Sequence, residues 1–268
     1  MNPLQQYTDL YEAHRELIDS ACGLPLNALR PQACEALRAC TLPGKGSEDY
    51  EHVDLAAMLA PDYGINLGRR PLDIDPAATF SCKVPTLSTA LFFLMGDTFA
   101  SAGNACAQLP EGVIVSSLAA ASARHPELLG RYYGRAASLS NPLVALNTML
   151  AQDGLFIYVP RGVKVDKPLQ LVSIMRSEMP MMAVRRLLIV LEDDAEARLL
   201  CCDHTQSPAT ASLSLQTIEI FAGDRACFDL YDLEETAGAT SRLSSLYLHA
   251  GADANILLDG ITLFNGMT

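Results

Sequence analysis

The sequence predicts a mainly β protein with a helical N-terminal part, its second half a solenoid of stacked coils, and three observations carry that prediction. From Leu155 onward the chain is a succession of short apolar runs broken by Gly and Asp turns. Aligned as Pro160-Arg161-Gly162, Glu192-Asp193-Asp194, Ala222-Gly223-Asp224 and Ala250-Gly251-Ala252, the turns start 32, 30 and 28 residues apart. A step of that size means supersecondary units that bury a core only by stacking. By contrast, in the N-terminal segment and again between Asn141 and Leu150 the apolar residues recur at three- and four-residue steps, the period of a helix, and after Gly154 the period changes to that of a strand.

Taken in order, Leu4, Tyr7, Leu10, Tyr11, His14, Leu17 and Ile18 mark one face of a first helix ending near Gly23. A second helix is expected from about Pro31, in its first turn, to Cys40, stopped by Pro43-Gly44. Asp54 can cap a third over Leu55–Ala60. The Pro, Gly and Asp residues between Pro61 and Pro85 read as a connector. Gly96-Asp97 joins two apolar runs, Leu91–Met95 and Thr98-Phe99, and supplies hairpin chemistry with positive φ at its first position. Val113-Ile114-Val115 is a further strand, and the Ala/Leu-rich stretch from Ser117 to Tyr133 is helical but split at Pro126. Asn141-Pro142 caps a last helix, with Asp153-Gly154 as its stop. The resulting division is 1–84, a helical region and connector; 85–154, mixed strand and helix; and 155–268, the solenoid.

Half the residues are apolar, enough for a sizeable core in 268 residues. With 31 acids against 19 bases the formal charge is −12, and no basic run exceeds the pairs Arg69-Arg70 and Arg185-Arg186. Neither nucleic acid nor an anionic membrane is therefore an expected partner. Acids at Asp9, Glu12, Glu16 and Asp19 leave no signal-peptide core, and no apolar stretch is long enough to span a bilayer. The expected location is cytoplasmic, where eight cysteines remain reduced thiols.

The stretch Ala145–Leu171, ALNTMLAQDGLFIYVPRGVKVDKPLQL, resembles a segment shared by the SufB/SufD family of iron–sulfur cluster assembly proteins. Further residues agree with that resemblance: Leu109–Leu118 looks like the SufD form of a strand-to-helix passage, and Leu188-Ile189-Val190-Leu191-Glu192 with Ala195 and Ala197 looks like a rung of the family's β-helix. Ser47–Leu55 is similar to the segment that follows the N-terminal helices of the SufD branch. The resemblance implies a right-handed parallel β-helix, the stabiliser of iron transporter fold, in a non-catalytic subunit that pairs with SufB and with the ATPase SufC. The iron–sulfur cluster would belong to the assembled complex, with no cofactor on this chain. Family members run past Asn265-Gly266-Met267-Thr268, so the remaining rungs and the helices that dock SufC are expected beyond that point, together with the family's functional His and Cys positions. An uncapped last rung is expected to be covered by a homodimer or lattice contact, or to lose order.

The residues themselves offer few sites. Cys201-Cys202-Asp203-His204 is the one local set of soft ligands suited to zinc or an iron–sulfur cluster. Adjacent residues of a strand point to opposite faces, however, so one cysteine should be core and the other at the surface or in the turn before Gln206-Ser207-Pro208. Cys22, Cys34 and Cys40 have no metal-ligand spacing and are expected to pack as small apolar groups; Cys82 and Cys106 lie near loops, and Cys227 aligns with Ala197 and Asn255 as a rung-facing residue. His249 is expected to share the outward face with Tyr247, while His14, His52 and His125 fall in no catalytic pattern. The acids Glu192-Asp193-Asp194, Asp229, Asp232 and Glu234-Glu235 lack the Gly-Asp consensus of calcium-binding β-helices and read as solvated turns. Gly96, Gly103 and Gly112 make no phosphate-binding loop. No catalytic, cofactor or metal residue is assigned. The reading is a scaffold; the alternative is a β-helix carbohydrate-active enzyme or acyltransferase, against which stand the missing signal peptide and hexapeptide repeat.

Overall fold

The computed structural model describes residues 3–44, 46–70, 88–101, 106, 109–206 and 209–268. Cys82, Gly103, most of the connector and the Ser207-Pro208 turn lie outside those residues.

Two sheets face each other. The first runs in the order β10 (Thr240–Ala250), β8 (Ser212–Ala222), β6 (Met181–Leu191), β4 (Asp153–Val159), β3 (Ile114–Ser117). The second runs β11 (Asn255–Phe264), β9 (Cys227–Glu235), β7 (Glu196–Thr205), β5 (Leu169–Met175), β1 (Ala90–Met95), β2 (Thr98–Ser101). Among the described strands β1–β2 and β3–β4 pair antiparallel; the other neighbours are parallel, and except for β1–β5, where the chain passes through β2–β4 and the helices between them, each pair is one coil apart in sequence. Four coils result, β4–β5, β6–β7, β8–β9 and β10–β11, which makes the chain a parallel β-solenoid with a helical N-terminal part.

The turns hold the register. Gly162, Asp194, Arg225 and Asp253 each sit at the third turn position with φ of 70°, 61°, 56° and 56°. Their amides and carbonyls join successive coils, Gly162 N–H to Asp193 O, Asp194 N–H to Asp224 O and Arg225 N–H to Ala252 O. The left-handed positions are thus 32, 31 and 28 residues apart. This corrects the sequence alignment by one residue at its last two turns, which are Gly223-Asp224-Arg225 and Gly251-Ala252-Asp253. Cys227 consequently pairs with Glu196 and Asn255, not with Ala197, and Phe228 takes the inward place. In a strand a one-residue slip exchanges the two faces.

Helices cover the outer face of the first sheet. α1 (Gln5–Ser20), α2 (Leu24–Asn27), α3 (Arg30–Ala39) and α4 (Leu55–Leu59) are followed by α5 (Leu118–Arg124), α6 (Pro126–Tyr132) and α7 (Pro142–Leu150). Two caps fall where the sequence places them, Asp54 accepting from Ala57 N–H and Asn141 from Leu143 N–H, and a third, Ser117, accepts from Ala120 N–H. Gly96 has φ 61° in a two-residue hairpin. Two details differ. His14 breaks α1 with φ −125° and ψ 19°, turning Leu17 and His14 itself out to solvent. And α7 ends at Leu150, so Asp153 and Gly154 already belong to β4 rather than stopping the helix.

Burial follows from this layering. Leu155, Ile157, Leu187, Ile189, Leu199, Ile220 and Phe228 fill the space between the sheets, while Val184, Leu213 and Leu215 point outward onto α1, α3 and α7. β6 is therefore apolar along nearly its whole length, because both of its faces are covered.

Candidate functional site

The interior of the solenoid is divided along the strands. Near the turns it is aliphatic; toward the starts of β6, β8 and β10 and the ends of β7 and β9 it is polar. Arg185 of β6, 1% exposed, donates from Nη2 to Asp203 Oδ2 at 2.9 Å and to Ser214 Oγ at 2.7 Å. Arg242 of β10 reaches Asp203 Oδ2 at 3.5 Å, Glu234 Oε2 at 3.9 Å and the Asp232 carboxylate. The first sheet thus contributes the guanidinium groups and the second the carboxylates, across the lumen. Burial alone would raise the Asp203 pKa, but Arg185 and Arg242, with hydrogen bonds from Ser173 and Arg185, outweigh it and hold the carboxyl below its ordinary value. Asp232 and Glu234 are accordingly not solvated turn residues. They occupy inward positions of β9 at a spacing of two, and the strand period puts both in the charge network.

A second buried network ties the helices to the sheet. Arg186 and Glu219, both fully buried, meet at 2.6 Å on the outer face of β6 and β8. Glu219 also accepts backbone N–H groups of Gly134, Ala136 and Ala137 at 3.0, 3.0 and 3.1 Å. Arg186 donates to Asn147 Oδ1 and Thr148 Oγ1 of α7 and lies 4.9 Å from the Tyr133 ring centroid. Arg30 closes the C-terminal end of that helix, donating to Met149 O and Ala151 O, each at 2.8 Å. Sequence reading missed these residues. The available signal was the adjacent Arg185-Arg186 pair inside an eleven-residue strand that is otherwise nearly all apolar: in a strand the two must face opposite ways, and each then needs its own acid.

Cys201 and Cys202 do point to opposite faces, yet both are buried, at 6% and 4% exposure. The expectation that one would reach the surface or the turn is corrected, because both faces of β7 are covered at this point. Cys201 packs in the lumen, where burial and then Asp232 and Asp203 push its thiol pKa well up. Cys202 packs outside against Phe93 and Val172. His204 also faces outward, its Nδ1 3.8 Å from Glu235 Oε2. Among the described residues no three or more His, Cys, Asp or Glu side chains are grouped to hold a metal ion.

The remaining sites are scattered. Cys34 is buried among apolar side chains; Cys22 donates to Gln152 O at 3.0 Å and receives Arg30 Nη2 at 3.2 Å; Cys40 is half-buried and Cys106 exposed. His249 is exposed with its ring 6.1 Å from Phe221, and His52 is exposed beside Glu51. The turn acids act as staples between coils. Asp193 Oδ1 accepts Asp224 N–H at 3.0 Å, Asp224 Oδ1 accepts Ala252 N–H at 2.8 Å, and Asp194 binds Arg225 at 2.7 Å. Glu192 accepts the Tyr158 hydroxyl at 2.6 Å, and burial together with that bond pushes the phenol up to about 12.

A model of the SufBD protein N-terminal region matches residues 1–171, and a model of the SUF system FeS cluster assembly SufBD core domain matches residues 173–268. The chain belongs to the SufBD family. Among curated SufBD relatives, the iron-sulfur cluster assembly SufBD family protein slr0076 of Synechocystis sp. is 24% identical over 171 residues, covering 63% of this chain and 37% of the relative. A second Synechocystis family protein, slr0074, is 30% identical over 118 residues, 43% of this chain and 24% of the relative. The chain thus spans well under half the length of the SufBD relatives it matches. At one edge of the two sheets lie β10 and β11, with Leu246, Leu248, Leu257 and Leu258 each 38–44% exposed there. β11 pairs with β9 in parallel from Asn255 to Phe264, with a register shift between Thr262 and Phe264. Among the described residues no helix is long and apolar enough to cross a membrane.

Proposed function

We propose that this chain is a scaffold subunit of the SUF machinery, of the SufD type, that supports iron–sulfur cluster assembly in the cytoplasm together with SufB and the ATPase SufC. The observation that carries the reading is the match of both SufBD family models, end to end along the chain. The chemistry of the side chains supports a scaffold. The lumen carboxylates are committed to Arg185 and Arg242, the Cys201 thiol is buried with a raised pKa, and the turn acids bind neighbouring coils. None of these groups is poised as a nucleophile or general base. The cluster is cargo of the complex in this reading, and the edge strands β10 and β11 lie toward the SufB-facing end.

The test is co-expression with SufB and SufC from the same cell. Co-elution of the three through affinity and size-exclusion steps is expected, with ATP-dependent cluster formation that falls when this subunit is omitted. Separate elution of the purified protein, or turnover of a glycan substrate by it, overturns the reading.

A further inference from the structure

We infer that residues 48–58 form a flap, anchored at Leu59, that opens together with the fourth coil while the rest of the solenoid stays closed. The outward row Val184, Leu215 and Leu243 runs in register across β6, β8 and β10. Its first two members are 0% and 1% exposed, in the cluster they share with α1, α3 and α7. Leu243, one coil further on, is 8% exposed and lines a cavity of about 200 Å³ with the half-buried Tyr50, Val53 and Met58. Those three belong to the stretch that leads from a 3-10 turn at Glu48–Tyr50 into α4.

The flap is held firmly on one side. Leu55 and Leu59 are 1% and 0% exposed, and Leu59 O accepts Gln6 Nε2 at 2.7 Å and the Tyr7 hydroxyl at 2.9 Å. Toward β10, among the described residues, no backbone hydrogen bond joins 48–58 to the sheet. The backbone bonds of this stretch close its own turns instead, Tyr50 N–H to Ser47 O, Val53 N–H to Tyr50 O and Met58 N–H to Asp54 O. Its hold on the fourth coil is therefore apolar packing around a cavity, and a contact with few partner atoms is weak.

The fourth coil is fastened at the same place. Past β11 the chain crosses from the second sheet to the first, where Gly266 N–H donates to Thr240 O at 3.0 Å and Arg242 N–H to Met267 O at 2.8 Å. The Thr268 hydroxyl donates to Glu234 Oε2 at 2.6 Å. These bonds seat Met267 beside Ser241 in parallel register, on the cavity that the flap covers. Lifting the flap removes one wall from Met267, and loosening Met267 removes one wall from Tyr50 and Met58. Segments that support each other in this way open as one unit, smaller than the whole fold.

The experiment is native-state hydrogen exchange of the whole chain, read by mass spectrometry. Met267→Gln should speed exchange in 48–58 by about fivefold or more, and Tyr50→Ala should do the same in 240–250, with β4 and β6 unchanged in both. In the wild type, urea below the unfolding transition should raise exchange in the two segments with one shared dependence on concentration, which decides the matter even where a variant fails to fold. Exchange that changes only in the segment carrying the substitution, an equal loss of protection in β4 and β6, or separate urea dependences for the two segments overturns the proposal.

Discussion

Replacing Glu219 by Gln should unseat the helical cover from the solenoid, and the structure says by how much. The substitution keeps the shape and removes the charge that faces Arg186 at 2.6 Å in a fully buried setting. Arg186 retains Asn147 Oδ1 at 3.3 Å, Thr148 Oγ1 at 3.0 Å and the Tyr133 ring, but none of these is an anion. A guanidinium cannot discard its proton, so the cation stays buried and uncompensated. Gly134, Ala136 and Ala137 also lose a charged acceptor for their N–H groups. Breaking one side of a buried pair costs about 3–5 kcal/mol. For a chain of this size that corresponds to a fall in melting temperature of about 8–15 °C. Arg186→Met should cost less, because Glu219 keeps three backbone donors and a carboxyl can take up a proton. Differential scanning calorimetry of wild type, both single variants and Arg186→Met/Glu219→Gln gives the coupling energy. A shift under about 2 °C for Glu219→Gln, or single effects that simply add, refutes the argument that the pair acts as one unit.

Two buried aspartates should respond to pH in opposite directions. Asp203 has a folded pKa below the ordinary value, so its stabilisation is present above about pH 4 and is lost as pH falls through the lower folded value. Asp97, raised by burial against the pull of Arg69, instead costs stability that develops as pH rises from about 4 through its folded value. Urea midpoints across that range for Asp203→Asn and Asp97→Asn, each relative to wild type, should therefore slope with opposite sign; slopes of one sign count against both assignments. Gly154→Ala should prevent soluble expression, since a Cβ there would lie 1.8 Å from Arg186 O, with φ 153°; a soluble variant with wild-type melting would contradict the packing of β4 on β6. Among the described cysteines, thiol labelling of the native protein read by mass spectrometry should modify exposed Cys106 first and spare Cys34, Cys201 and Cys202 until denaturant is added. Rapid native labelling of Cys201 would show that the lumen opens.

Some of this was legible before any coordinates. The helix caps at Asp54 and Asn141 and the Gly96 hairpin depend on a few neighbouring residues whose chemistry favours one local conformation, and each is found in place. The turn alignment was right in kind and one residue out in phase, since which turn residue takes the left-handed conformation is settled by bonds to the next coil. That slip carried Cys227 to the wrong face. The reading of Asp232 and Glu234 as solvated failed for a related reason: their partner Arg242 lies in another strand and the opposite sheet, so nothing near them in the chain announces the pairing.

The sequence by itself determined the class of the protein, a helical region followed by a solenoid of stacked strands, because periodicity, caps and turn residues are local properties that report how each segment must bury its apolar side; the SufBD kind came from resemblance over long stretches. Only the tertiary structure decided which charges are interior and what they hold. Arg185 and Arg186 are neighbours in the chain, but one closes a lumen with Asp203 and the other clamps α7 and Glu219 to the outer face. Adjacent strand residues diverge by half a turn, and the acid each one finds is fixed by the stacking of coils about thirty residues apart.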